Sequence, residues 1–109
     1  MSGVSYAQSA RVQKLSTVVF GQKHRLATMA AIANGDGLVN PTDLAIELDF
    51  PAQSAVQTPL RDLAEAGLIT RQDGMGRVYY RRNAHPIWDA AVELLQAALV
   101  DEAATDPVP

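Results

Sequence analysis

At 109 residues the chain is long enough for one domain and too short for two that each bury a full core, so a single unit over 1–109 is expected. The absence of cysteine excludes a disulfide framework, a thiolate metal site and a thiol switch. A net charge of −3 argues, taken as a total, against a polyanionic partner.

In chain order, Val12, Leu15, Val18 and Val19 predict a helix over about 7–19 that Gly21 ends. A second helix is expected over Gln22 to Asn34, with Leu26, Ala30 and Ala33 on one stripe, Met29 and Ile32 beside it, and Asn34-Gly35-Asp36-Gly37 as the stop. Asn40-Pro41-Thr42-Asp43 combines an N-cap residue, a proline at the first helical position and an acid near the exposed amides. A short helix from Pro41 to Leu48 follows, with Leu44, Ala45 and Leu48 inward. Asp49-Phe50-Pro51-Ala52 breaks the pattern, and Ser54 to Ala66 resumes it with Val56, Leu60, Leu63 and Ala64 on a common face before Gly67. Two short helices about four residues apart match the spacing of a helix-turn-helix.

Pro59 is discordant there: it lacks an amide donor, and its ring crowds the carbonyl of Ala55 if that residue is already helical. A proline inside a helix costs about 3 kcal/mol relative to alanine, so this helix is expected to start late, to kink, or to open around Thr58.

Leu68 to Gln72 and Arg77 to Arg81 are β-prone runs joined by Asp73-Gly74-Met75-Gly76, a hairpin with a tip of small residues. Alternation places Arg77, Tyr79 and Arg81 on one face and Val78, Tyr80 and Arg82 on the other. Asn83-Ala84-His85-Pro86 introduces a last helix over about 86–103, and Asp106-Pro107-Val108-Pro109 reads as a frayed tail. The expected fold is mainly α with a two-stranded β wing: a winged helix-turn-helix core over about 22–82 with additional N- and C-terminal helices.

The charge is unevenly spread. Residues 1 to 25 carry Arg11, Lys14, Lys23 and Arg25 with no acid, residues 26 to 49 carry four acids with no base, and the segment from Pro86 onward is acidic. Residues 50 to 85 hold Arg61, Arg71, Arg77, Arg81 and Arg82 against three acids. A local basic face can bind a polyanion while the rest of the surface keeps the molecule dissolved.

Leu44-Ala45, Ser54-Ala55-Val56 leading to Leu60-Arg61-Asp62-Leu63, Glu65-Ala66-Gly67-Leu68-Ile69 and Gly76-Arg77-Val78-Tyr79-Tyr80 follow one another over about residues 24 to 82. In these elements the chain resembles the winged-helix regulators of the arsenical-resistance-repressor type. The resemblance implies a homodimer that places one helix of each subunit into successive major grooves of double-stranded DNA, with the wings beside the backbone, and so regulates transcription. The cysteine metal-binding motif of some relatives is missing where the chain reads Asp43-Leu44-Ala45-Ile46-Glu47.

The residue types agree with that expectation. Ser54, Gln57, Thr58 and Arg61 fall opposite the core stripe, where Gln57 is suited to adenine edges and Arg61 to guanine or phosphate. Arg71 and Arg77 flank the wing loop and are the expected phosphate contacts. His24 and His85 have no neighbouring cysteine or carboxylate at metal-ligand spacing and read as packing or helix-start residues, so no metal is expected.

No nucleophile–base set or phosphate-cradling loop emerges, and the chain is not expected to be an enzyme. Alanines 27, 30, 31 and 33 are read as close helix packing and not as a ligand cavity; no cofactor is expected, and nothing indicates a small-molecule effector. Ile87, Ala91, Leu94, Leu95 and Ala98, extended by Trp88, Val92 and Leu99, make an apolar stripe wider than one side of a small domain covers. Val12, Leu15 and Val19 on the first helix and Trp88, Ala91, Leu95 and Leu99 on the last are therefore expected to form a dimer interface, with a palindromic operator as the partner. The alternative is a winged-helix module or anti-regulator that binds a protein through its acidic surface without touching DNA.

Overall fold

A computed structural model describes residues 6–105; the expected tail at 106–109 lies outside them. The first helix is divided. Ser9 is extended (φ −67°, ψ 127°) and its hydroxyl accepts the Val12 amide, which separates a 3₁₀ turn, Tyr6–Gln8, from α1, Ala10–Phe20. Gly21, at φ 77°, closes α1.

Helix α2, Arg25–Asn34, starts three residues later than expected. His24 at its cap position supplies no side-chain bond, and the buried Ser16 of α1 does the capping from a distance. The Ser16 hydroxyl accepts the Leu26 amide at 2.9 Å and donates to the Gln22 carbonyl. Residues Leu26 through Ile32 are all buried, so α2 is the central post of the fold and has no polar face. Leu26, Met29 and Ile32 each contribute about 1.5–3 kcal/mol of burial.

A two-residue strand, β1, Leu38–Val39, leads into α3, Pro41–Glu47, whose N-cap Asn40 accepts the Asp43 amide at 3.0 Å. Leu44, Ala45 and Leu48 are buried as the periodicity requires. Helix α4, Ser54–Glu65, starts at Ser54 and is continuous through Pro59, so the expected late start and the expected opening around Thr58 are both corrected. Its first turn is tightened instead: the amides of Ala55 and Val56 bond three residues back, to Ala52 and Gln53. Pro59 is buried among the core side chains. At the other end Leu68 N–H bonds to Leu63 O and Gly67 N–H to Ala64 O, the two bonds of a Schellman cap with Gly67 at φ 81°.

Strands β2, Ile69–Gly74, and β3, Arg77–Arg82, form the hairpin, and its turn shrinks to Met75-Gly76, both at positive φ. That geometry matches the right-handed twist of the strands, and glycine adopts it without the Cβ penalty that Met75 bears. The sheet has three strands in the order β1-β3-β2, all antiparallel, so the expected two-stranded wing gains a short third strand at its base.

The last helix, α5, Ile87–Thr105, begins where His85 Nδ1 accepts the Ile87 amide at 3.0 Å. It packs on α2 and α1. The whole is a helical core with an antiparallel β wing, the winged helix-turn-helix architecture, and among the described residues no helix is long and apolar enough to cross a membrane.

Candidate nucleic-acid interface

The period of α4 sorts its side chains. Val56, Leu60 and Leu63 are buried, while Ser54, Gln57, Thr58 and Arg61 are exposed on the opposite side. Facing that helix across an open cleft of about 380 Å³ stands the inner face of the wing. Gln53, Gln57, Leu60 and Arg61 line one wall, Arg71, Val78 and Tyr80 the other, with Pro41 at the start of α3 also lining it. Three of the six residues expected to contact nucleic acid, Gln57, Arg61 and Arg71, are therefore brought to one cleft. Ser54 and Thr58 are exposed on α4 without lining it.

Arg77 is placed elsewhere. Pair register puts Arg71, Val78 and Tyr80 on one face of the hairpin and Arg77, Tyr79 and Arg81 on the other. The Arg77 guanidinium lies 3.8 Å from the Asp43 carboxylate of α3 and 5.8 Å from the centre of the Tyr79 ring. Arg71 pairs with Asp73 at 3.0 Å on its own strand. Both pairs are exposed, so each holds its arginine weakly and water competes for both partners.

Two other arginines of the basic blocks serve the fold. Arg25 pairs with Asp62 of α4 and donates to the Phe20 carbonyl at 3.0 Å, joining the end of α1 to α4. Arg82 Nη1 donates to the carbonyls of Ile32 at 2.7 Å and Ala33 at 2.8 Å, so the wing caps the C-terminus of α2. Alternation along β3 had set Arg82 on the inner face; its target could not be read from spacing.

Two residues are added to the expected set. Gln53 lines the cleft one residue before α4, outside the helical pattern used to find the site. Asn40, 9% exposed, caps α3 and also donates from Nδ2 to the Val78 carbonyl at 3.0 Å.

The expected dimer residues are corrected in part. Val12, Trp88, Ala91 and Leu95 are buried in the chain's own core, because α5 lies along α2 and α1 and spends its apolar stripe on them. Trp88 also donates its indole N–H to the Asn83 carbonyl at 2.8 Å. Leu15 and Leu99 are half-buried and Val19 is exposed. The apolar surface left outside is carried by Val18, 74% exposed, Val19 and Val100, 66% exposed. Beside it a groove of about 200 Å³ between α1 and α5 is lined by Arg11, Lys14, Leu15, Val18, Ala98 and Asp101.

His24 packs its ring on Phe50 of the helix-turn-helix turn, with centroids 4.5 Å apart. Burial, and secondarily the nearby Lys23, holds its pKa below the ordinary histidine value. Among the described residues no group of three or more His, Asp or Glu side chains could hold a metal. No known protein-family model and no curated protein matches the chain.

Proposed function

We propose that the chain binds double-stranded DNA sequence-specifically and regulates transcription as a homodimer, in the manner of the arsenical-resistance-repressor type but without its thiolate metal site. The observation that supports this is the exposed polar row of α4 standing across an open cleft from Arg71. A helix presented in this way enters the major groove, where Gln57 can pair with adenine and Arg61 with guanine. Arg71 on one face of the wing and Arg77 on the other are set to neutralise phosphates once they leave Asp73 and Asp43. Two copies joined through the exposed valines of α1 and α5 would present two such helices to half-sites about one helical turn apart, hence a palindromic operator.

The test is titration of labelled duplexes, including the chain's own upstream region, followed by fluorescence anisotropy over a salt series. Gln57→Ala is expected to change the ranking of sequences, with up to about 1–3 kcal/mol lost at the base it reads. Arg71→Ala is expected to weaken all sequences alike and to reduce the salt slope by about one. Equal effects of both changes on cognate and random DNA contradict this division, and no binding to any duplex at low salt ends the DNA reading.

A second reading, a protein-interaction module, draws on the exposed Ile46 and Met75 and on the pairing of both wing-loop arginines with acids. Failure to be retained on heparin at low salt would favour it.

A further inference from the structure

The wing is held at its base by several ties. Backbone pairing joins Leu38 to Arg81 and Val39 to Tyr80, Arg82 N–H bonds to Gly37 O at 2.8 Å, and the Arg82 guanidinium caps α2. Beyond Tyr80 this backbone support stops. The next residue of the β1 segment is Asn40, already the cap of α3, and after it comes Pro41, which has no N–H to continue the ladder. Asn40 bridges the gap with its side chain: Oδ1 accepts the Asp43 amide and Nδ2 donates to the Val78 carbonyl, each at 3.0 Å.

Among the described residues, the polar ties from the distal half of the hairpin to the helices are this bond and the Arg77–Asp43 pair. The latter is long and exposed on both sides, and pairs of that kind hold little. Asn40 is largely buried, so its bond is shielded from water. Val78 in turn pairs with Asp73 and lies two residues from Tyr80, the partner of Arg71.

We propose that Asn40 is a positioning residue that locks the wing to the helix-turn-helix and thereby sets Arg71 against α4 across the cleft. One amide then does two jobs, and a residue that caps equally well without a donor separates them. Serine and aspartate are both good N-caps, so Asn40→Ser and Asn40→Asp keep the α3 cap and lose the bond to Val78. Asn40→Ser is expected to melt about 4–8 °C below the wild type, the scale of one shielded hydrogen bond of about 1 kcal/mol, and Asn40→Asp further below it, because a carboxylate then faces the Val78 carbonyl.

The consequence for DNA rests on the proposed function; the positioning itself does not. Because the chain has no cysteine, Glu65→Cys on α4 and Gln72→Cys on the wing give a unique pair for spin labels. Without DNA, the label-to-label distance distribution is expected to be narrow in the parent and wider in both Asn40 variants. In duplex titrations with unlabelled protein, Asn40→Ser is expected to weaken binding about fivefold, the equivalent of one hydrogen bond. Arg71→Ala is expected to cost less in the Asn40→Ser background than alone. An unchanged distance distribution in both variants overturns the proposal, and additive losses in the cycle overturn the link to Arg71. If the parent binds no duplex at all, the DNA reading falls while the spin-label result still decides the role of Asn40.

Discussion

Replacing Arg82 by leucine keeps most of the aliphatic stem and removes only the guanidinium. In the folded chain Nη1 serves the carbonyls of Ile32 and Ala33 in the last turn of α2; the C-cap amide of Gly35 reaches Ile32 O at 3.3 Å, so the guanidinium adds a second, charged donor there and supplies the donor that Ala33 O otherwise lacks within the helix. A hydrogen bond from a charged donor contributes about 1.5–3 kcal/mol where water is excluded. This site is half-buried, so water recovers part of both bonds, and the pair together is worth about 2 kcal/mol. The cation at a helix C-terminus adds about 0.5 kcal/mol. At about 4 °C per kcal/mol for a chain of this size, Arg82→Leu is expected to melt about 10 °C below the wild type. Thermal unfolding followed by far-ultraviolet circular dichroism at neutral pH measures it, once in dilute buffer and once in about 0.5 M salt, where exposed charges are screened. A fall of less than about 3 °C, or one that disappears in salt, refutes the argument that the wing caps α2.

Leu95→Ala, in the core between α5 and its neighbours, is expected to cost about 3 kcal/mol by a loss in melting temperature that does not depend on protein concentration; a loss that shrinks as concentration rises would place the residue between subunits. Asp43→Asn frees Arg77 from its carboxylate and is expected to tighten binding of any duplex about two- to fivefold at low salt, measured by anisotropy on random sequence; no change contradicts a phosphate role for Arg77. Burial, and secondarily Glu47, pushes the Tyr6 hydroxyl up to about 12 from 10.0, so the unfolded chain loses this proton first. The stabilising contribution is whole below pH 10 and is lost as pH rises toward 12; denaturant titrations should show this alkaline decline in the wild type and a flatter one in Tyr6→Phe.

Interactions between near neighbours in the chain made much of this protein legible from its sequence. Asn40-Pro41 marks the start of α3 because the cap and the missing amide act within three residues. The exposed row Ser54, Gln57, Thr58 and Arg61 follows from the period of about 3.6 residues, and the wing turn follows from Gly76. Pro59 misled for the same reason: its local cost was plain, whereas the core packing around the ring and the tightened first turn belong to the assembled fold.

Only the tertiary structure decided where long side chains and unpaired backbone groups meet. Arg82 reaches carbonyls that lie 49 and 50 residues away, Ser16 caps a helix other than its own, and Asn40 replaces an amide that Pro41 lacks. Strand β1 is too short to show a period and exists because β3 offers it a partner. The apolar stripe of α5 announces that it must be covered, yet burial is non-directional, and the same residues would suit a second subunit or the chain's own helices. Folding settled that choice for Trp88, Ala91 and Leu95 by laying α5 along α2.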